Sequence, residues 1–102
     1  MITKTEITNA LNNLRKHGFI VYHFNSHKAM PTGLRGLPDH LVIGKVYLYW
    51  IEVKLGTDTL KPDQIIFKKM IEQFEKRNKV VKYRMVTDKD SLESVITEIY
   101  GK

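Results

Sequence analysis

The sequence predicts one α/β domain with a mixed sheet, its elements following in the order αβββαβα. Three observations predict it. A chain of 102 residues with 42% hydrophobic side chains can build one core and has no length for a second. Three apolar stripes repeat at helical spacing, and between them lie four short runs rich in β-branched and aromatic residues. Two of those runs are separated by Gly44-Lys45, a Gly-X pair of the kind that turns a two-residue hairpin.

Each element has its own justification. Thr3 and Glu6 have capping-box spacing, and Ile7, Ala10, Leu11 and Leu14 form one stripe, so a helix is predicted over 4–17 with Gly18 as its stop. Residues 19–24 read as a strand, and 25–38 as a polar loop punctuated by Pro31, Gly33, Gly36 and Pro38. Residues 40–43 and 46–54 are the hairpin strands. A second helix is expected from Pro62, which suits a first helical position, with Ile66, Phe67, Met70, Ile71 and Phe74 as its buried face. Residues 80–86 form the last strand. Asp88 then caps a final helix with the stripe Leu92, Val95, Ile96 and Ile99. Nothing in the sequence marks a linker or repeat, so 1–102 is read as a single domain.

Composition narrows the function classes. There is no cysteine, which excludes disulfides, a thiolate nucleophile and Cys-based metal sites. The start of the chain is polar and does not resemble a signal peptide, and the longest apolar run, 46–51, is far short of a membrane span. A soluble cytoplasmic protein with no membrane partner is expected. Net charge is +6, with 15 basic against 7 acidic side chains over 1–87 and 2 against 4 over 88–102. A basic body suits a polyanion, although it serves solubility equally well.

The informative segment is Gly36-Leu37-Pro38-Asp39, followed beyond the hairpin by Ile51-Glu52-Val53-Lys54. Alternation in a strand puts Glu52 and Lys54 on the face of Leu48 and Trp50, while Ile51 and Val53 point the other way. An acid and an amine ending such an apolar strand each need a partner. If Gly44 and Lys45 alone form the turn, Asp39 lies opposite Trp50 and diagonal to Glu52, on one face. A three-residue turn would send Asp39 to the wrong face. Two carboxylates and a backbone carbonyl make a hard-oxygen site for Mg2+ or Mn2+. A neighbouring lysine can orient water and offset charge on a phosphate, an arrangement suited to phosphodiester hydrolysis.

Pro38-Asp39, a twelve-residue spacer and Glu52-Val53-Lys54 resemble the signature of the PD-(D/E)xK nuclease superfamily. Gly36 ahead of Pro38-Asp39, and Gln64 opening a helix ten residues after Lys54, are similar to its VRR-NUC branch, over roughly residues 4–75. That branch includes short stand-alone nucleases of viruses and bacteria, related in fold to Holliday-junction resolvases. The resemblance implies a restriction-endonuclease-like αβββαβ core with an extra C-terminal helix. It implies a metal-dependent DNA endonuclease, selective for branched DNA and acting as a homodimer. Asp39, Glu52 and the Val53 carbonyl would hold Mg2+ or Mn2+, Lys54 would be the catalytic lysine, and Gln64 would help place substrate or water. Relatives often carry an acid where Glu6 stands, which would add it to the metal ligands, while its capping-box position explains it without one. His40, where relatives carry an apolar residue, departs from the pattern.

Lys28, Arg35 and Lys61 are candidates for phosphate contacts. The basic residues of the second helix read as a solvated face, the four histidines as no metal set, and Trp50, Tyr47 and Tyr49 as packing. The reading from another class is a non-catalytic nucleic-acid-binding module. A protein–protein adaptor fits the acid–acid–lysine set least.

Overall fold

The computed structural model describes residues 1–24 and 36–101. Most of the predicted loop, with Lys28 and Arg35, therefore lies outside the described residues. The element order is the predicted one: α1 (Lys4–Asn12), a 3-10 turn (Asn13–His17), β1 (Ile20–His23), β2 (His40–Ile43), β3 (Leu48–Val53), α2 (Pro62–Asn78), β4 (Val81–Val86) and α3 (Lys89–Tyr100). The four strands form one mixed sheet in the order β1-β2-β3-β4. The first three run antiparallel and β4 is parallel to β3, the parallel step being made by the α2 crossover.

The first helix tightens into a 3-10 turn after Asn12, and Gly18 ends it in the left-handed conformation at φ +89°. α1 and α3 turn Ile7, Leu11, Leu14, Leu92, Val95 and Ile99 into one core with Val21, Val42, Tyr49, Ile51, Val53 and Val86 of the sheet. Asp88 caps α3 by accepting the Ser91 amide at 2.8 Å.

Two expectations are corrected. The hairpin connection is four residues, Gly44 to Tyr47, closed by the Gly44 amide on the Tyr47 carbonyl at 2.9 Å. Strand β3 accordingly starts at Leu48, which pairs with Ile43, and His40 pairs with Ile51. The register has moved by two residues from the expected one, so every side chain keeps its face.

The second correction concerns α2. Ile66, Met70 and Phe74, expected in the core, are 59%, 56% and 46% exposed. The helix carries apolar residues around most of its circumference, and it turns Gln64, Phe67, Lys68, Ile71 and Glu75 inward instead. Phe67 meets Trp50 edge-on at 5.2 Å, on the sheet face opposite the main core. Farther along, the helix is tied to the edge of the sheet by polar contacts. Glu75 accepts the outward-facing Tyr83 amide at 3.2 Å, and Arg84 grips both Glu75 and Glu98 with paired hydrogen bonds of 2.8–3.0 Å. That clasp joins α2, β4 and α3, and it covers an edge strand that would otherwise offer free amides.

His40 also finds its reason here. It pairs with His23 across β1 and β2, and the two Nδ1 atoms lie 2.6 Å apart. His23 Nε2 is 2.6 Å from Asn12 Oδ1 of α1, so Nε2 carries the proton and His23 Nδ1 accepts from His40. Burial pushes the His40 imidazole down to about 4, with the neighbouring His23 adding to the shift and Asp39 opposing it.

Candidate active site

The site is built where the β2–β3 ladder runs out. The observed register places Asp39, just before β2, opposite Glu52 rather than diagonal to it. Asp39 Oδ2 accepts the Val53 amide at 2.9 Å, so its side chain continues the ladder beyond the last backbone pair. In an extended strand a residue's carbonyl leaves on the same side as its amide, which turns the Val53 carbonyl towards Asp39 as well.

Glu52 is 1% exposed, the most enclosed acid among the described residues. Its Oε1 receives Gln64 Nε2 at 3.4 Å and lies 3.9 Å from Lys54 Nζ. Its Oε2 is buried with no hydrogen-bond partner among the described residues. Burial pushes the Glu52 carboxyl well above its ordinary range, and the neighbouring Asp39 carboxylate pushes it further. Lys54 and then Lys4 pull it back. A like charge beside a buried acid favours its neutral form, and a bound cation would favour the charged one.

Gln64 is fixed at its other end, where its Oε1 accepts the Lys61 amide at 2.8 Å. The loop before Asp39 is pressed against the same helix start. Gly36 sits at φ +84°, and a Cβ there would come within 2.5 Å of the Asp63 carbonyl oxygen. Glycine in the Gly36-Leu37-Pro38-Asp39 segment thus lets the acid-bearing loop touch the Gln64-bearing helix.

The structure therefore gathers Asp39, Glu52, Val53, Lys54 and Gln64, with Lys61 exposed at the head of α2. Glu6 is exposed and engaged with Thr3, whose hydroxyl accepts its amide at 3.1 Å and is 3.2 Å from its carboxylate. It lines a cleft with Ile2, Leu55 and Leu92. Among the described residues no three His, Cys, Asp or Glu side chains converge as a metal-holding group. Two residues near Glu52 escape sequence reasoning. Lys4 acts on it from the start of α1, and Tyr83 of β4 stands buried on the same sheet face with an unpartnered hydroxyl. Lys4 had only its charge to mark it, and Tyr83 sat in an alternating strand like any packing residue.

The donor set fits a hard divalent cation. Two facing carboxylates and a backbone carbonyl supply oxygen only, and the orphaned Glu52 Oε2 is the acceptor a cation would satisfy. No helix among the described residues is long and apolar enough to cross a membrane. No protein-family model and no curated protein matches the chain.

Proposed function

We propose that this protein is a metal-dependent nuclease that hydrolyses DNA phosphodiester bonds, of the VRR-NUC type within the PD-(D/E)xK superfamily, on a restriction-endonuclease-like core. The observation that carries the reading is the buried Glu52, facing Asp39 with one oxygen unpartnered and Lys54 at 3.9 Å from the other. A structural ion pair has no use for a second acid directly opposite, because that acid raises the cost of burial.

Asp39, Glu52 and the Val53 carbonyl would hold Mg2+ or Mn2+. Bound there, the cation supplies a Lewis acid for the phosphoryl group. The chain's own residues do the rest. Asp39 is locked to the β3 backbone through the Val53 amide, so its second oxygen is presented in a fixed direction. Gln64 holds Glu52 Oε1 and is itself held by the Lys61 amide. Lys54, with 11% of its side chain exposed, offers N–H donors to an attacking water or a non-bridging phosphate oxygen. Lys4 and Lys61, both exposed, add positive charge on the approach to the site.

A structure-selective substrate, branched DNA in particular, fits a domain too small to read a long sequence. The homodimer that would cut two strands has a surface to draw on in the exposed Ile66, Met70 and Phe74 of α2. The test is cleavage of labelled linear, flap and four-way-junction DNA with Mg2+, Mn2+ or EDTA, beside light scattering for mass. Metal-dependent cutting strongest on branched DNA is expected. Salt-sensitive binding with no cutting in either metal would favour the non-catalytic binding module.

A further inference from the structure

Tyr83 pairs with Trp50 in the parallel β3–β4 register, which puts its ring on the sheet face of Glu52, beneath α2. The residue is 5% exposed and its hydroxyl has no hydrogen-bond partner among the described residues. Met85, two residues along β4, pairs with Glu52, so Tyr83 stands diagonal to that acid on the same face. Burial, reinforced by the carboxylates of Glu52, Glu72 and Asp39, raises the phenol above its ordinary range. Beside a carboxylate, which accepts only, a phenol O–H serves as the donor.

Three buried side-chain oxygens among the described residues lack partners: Tyr49 Oη, Glu52 Oε2 and Tyr83 Oη. Tyr49 faces the main core, on the other side of the sheet. The remaining two share the α2 face, one a donor and the other an acceptor. Evolution rarely leaves such a hydroxyl buried where phenylalanine would fill the same space without the desolvation cost.

We propose that Tyr83 is a positioning residue for Glu52, its hydroxyl donating to one lone pair of Oε2 and leaving the other for a cation. Gln64 then anchors one oxygen and Tyr83 the other, and the carboxylate is held facing Asp39. The inference rests on the metal-site reading above and adds to it a residue outside the acid–acid–lysine set. Partners of this kind, one step removed from the ion, typically govern metal affinity by 10–100-fold.

The experiment compares wild type, Tyr83→Phe and Glu52→Gln in two measurements at one fixed pH: Mn2+ titration by calorimetry, and thermal melting in EDTA. Tyr83→Phe is expected to bind Mn2+ about tenfold more weakly. It should melt in EDTA at the wild-type temperature or above, because an unpartnered hydroxyl has been removed. A merely structural tyrosine would not separate the two readouts in that way. Unchanged Mn2+ affinity in Tyr83→Phe, with binding lost in Glu52→Gln, overturns the role of Tyr83 and leaves the metal site standing. A lower melting temperature for Tyr83→Phe in EDTA makes the hydroxyl a structural group and also overturns it. Failure of wild type to bind Mn2+ through Glu52 overturns both.

Discussion

Asp39 Oδ2 accepts a hydrogen bond from the Val53 amide at 2.9 Å, so a side chain extends the β2–β3 ladder past its last backbone pair. One residue thereby holds the strand end and faces Glu52. Substitutions can separate the two roles. Asp39→Asn keeps an acceptor for the amide and removes the charge that opposes Glu52, so in EDTA it should be at least as stable as wild type. Asp39→Ala leaves the Val53 amide unpaired and should be less stable than Asp39→Asn by about 1–2 kcal/mol. Both should lose Mn2+ affinity. Urea unfolding and calorimetry, run on the two variants together, check the ordering.

The pH dependence of stability follows from two buried groups with opposite signs. Glu52 has a raised pKa in the folded state, so the folded protein holds a proton that the unfolded chain has already released, and its contribution falls as pH rises from the ordinary carboxylate range to about 8. His40 is lowered to about 4, so the unfolded chain takes up a proton first on acidification, and stability is lost as pH falls from about 6.5 to 4. The two oppose each other below pH 6.5, which leaves pH 6.5–8 as the window where Glu52 acts alone. In EDTA, wild type should lose stability across that window, and Glu52→Gln should be flat. Saturating Mn2+ should abolish the loss. Denaturant midpoints at pH 6.5, 7.2 and 8 read all three.

Arg84 is predicted to matter to the fold and not to the chemistry. It joins Glu75 of α2 and Glu98 of α3 to the edge strand, and hydrogen bonds to both carboxylates raise its guanidinium above its ordinary range. About a quarter of each side chain is exposed, so solvent screens the clasp. Arg84→Met should cost about 2 kcal/mol, between the values for surface and buried pairs. Mn2+ affinity under folded conditions should stay unchanged.

Gly36 is predicted to couple fold and site. Alanine there meets both a positive φ and the Asp63 carbonyl, so Gly36→Ala should cost about 1–3 kcal/mol. Relief requires the loop to move away from α2, which carries Asp39 away from Gln64. Mn2+ affinity should therefore fall with stability. A variant that loses stability alone would show that the loop shifts without disturbing Asp39.

Much of this site was legible in the sequence because strand alternation has only two outcomes. The expected two-residue turn was wrong, yet a four-residue connection preserves parity, so Asp39 reached the face of Glu52 and came directly opposite it. The face of α2 was not legible. With Ile65, Ile66, Phe67, Met70, Ile71 and Phe74 spread around one helix, periodicity could not say which side the sheet would take. Tyr83 and the His23–His40 pair were hidden for a related reason. Each depends on which residues of different strands stand opposite, and no local pattern encodes that register.

The most direct measurement is single-turnover cleavage of a labelled four-way junction in Mg2+ by wild type and Lys54→Ala. Circular dichroism would confirm both folds, and Mn2+ and DNA affinities would be measured alongside. The proposed mechanism gives the acid pair and the lysine separate tasks, so Lys54→Ala should bind metal and DNA within a few-fold of wild type and cut at least a hundredfold more slowly. Cleavage by Lys54→Ala at the wild-type rate, or intact junctions with folded, metal-loaded wild type, would contradict the account.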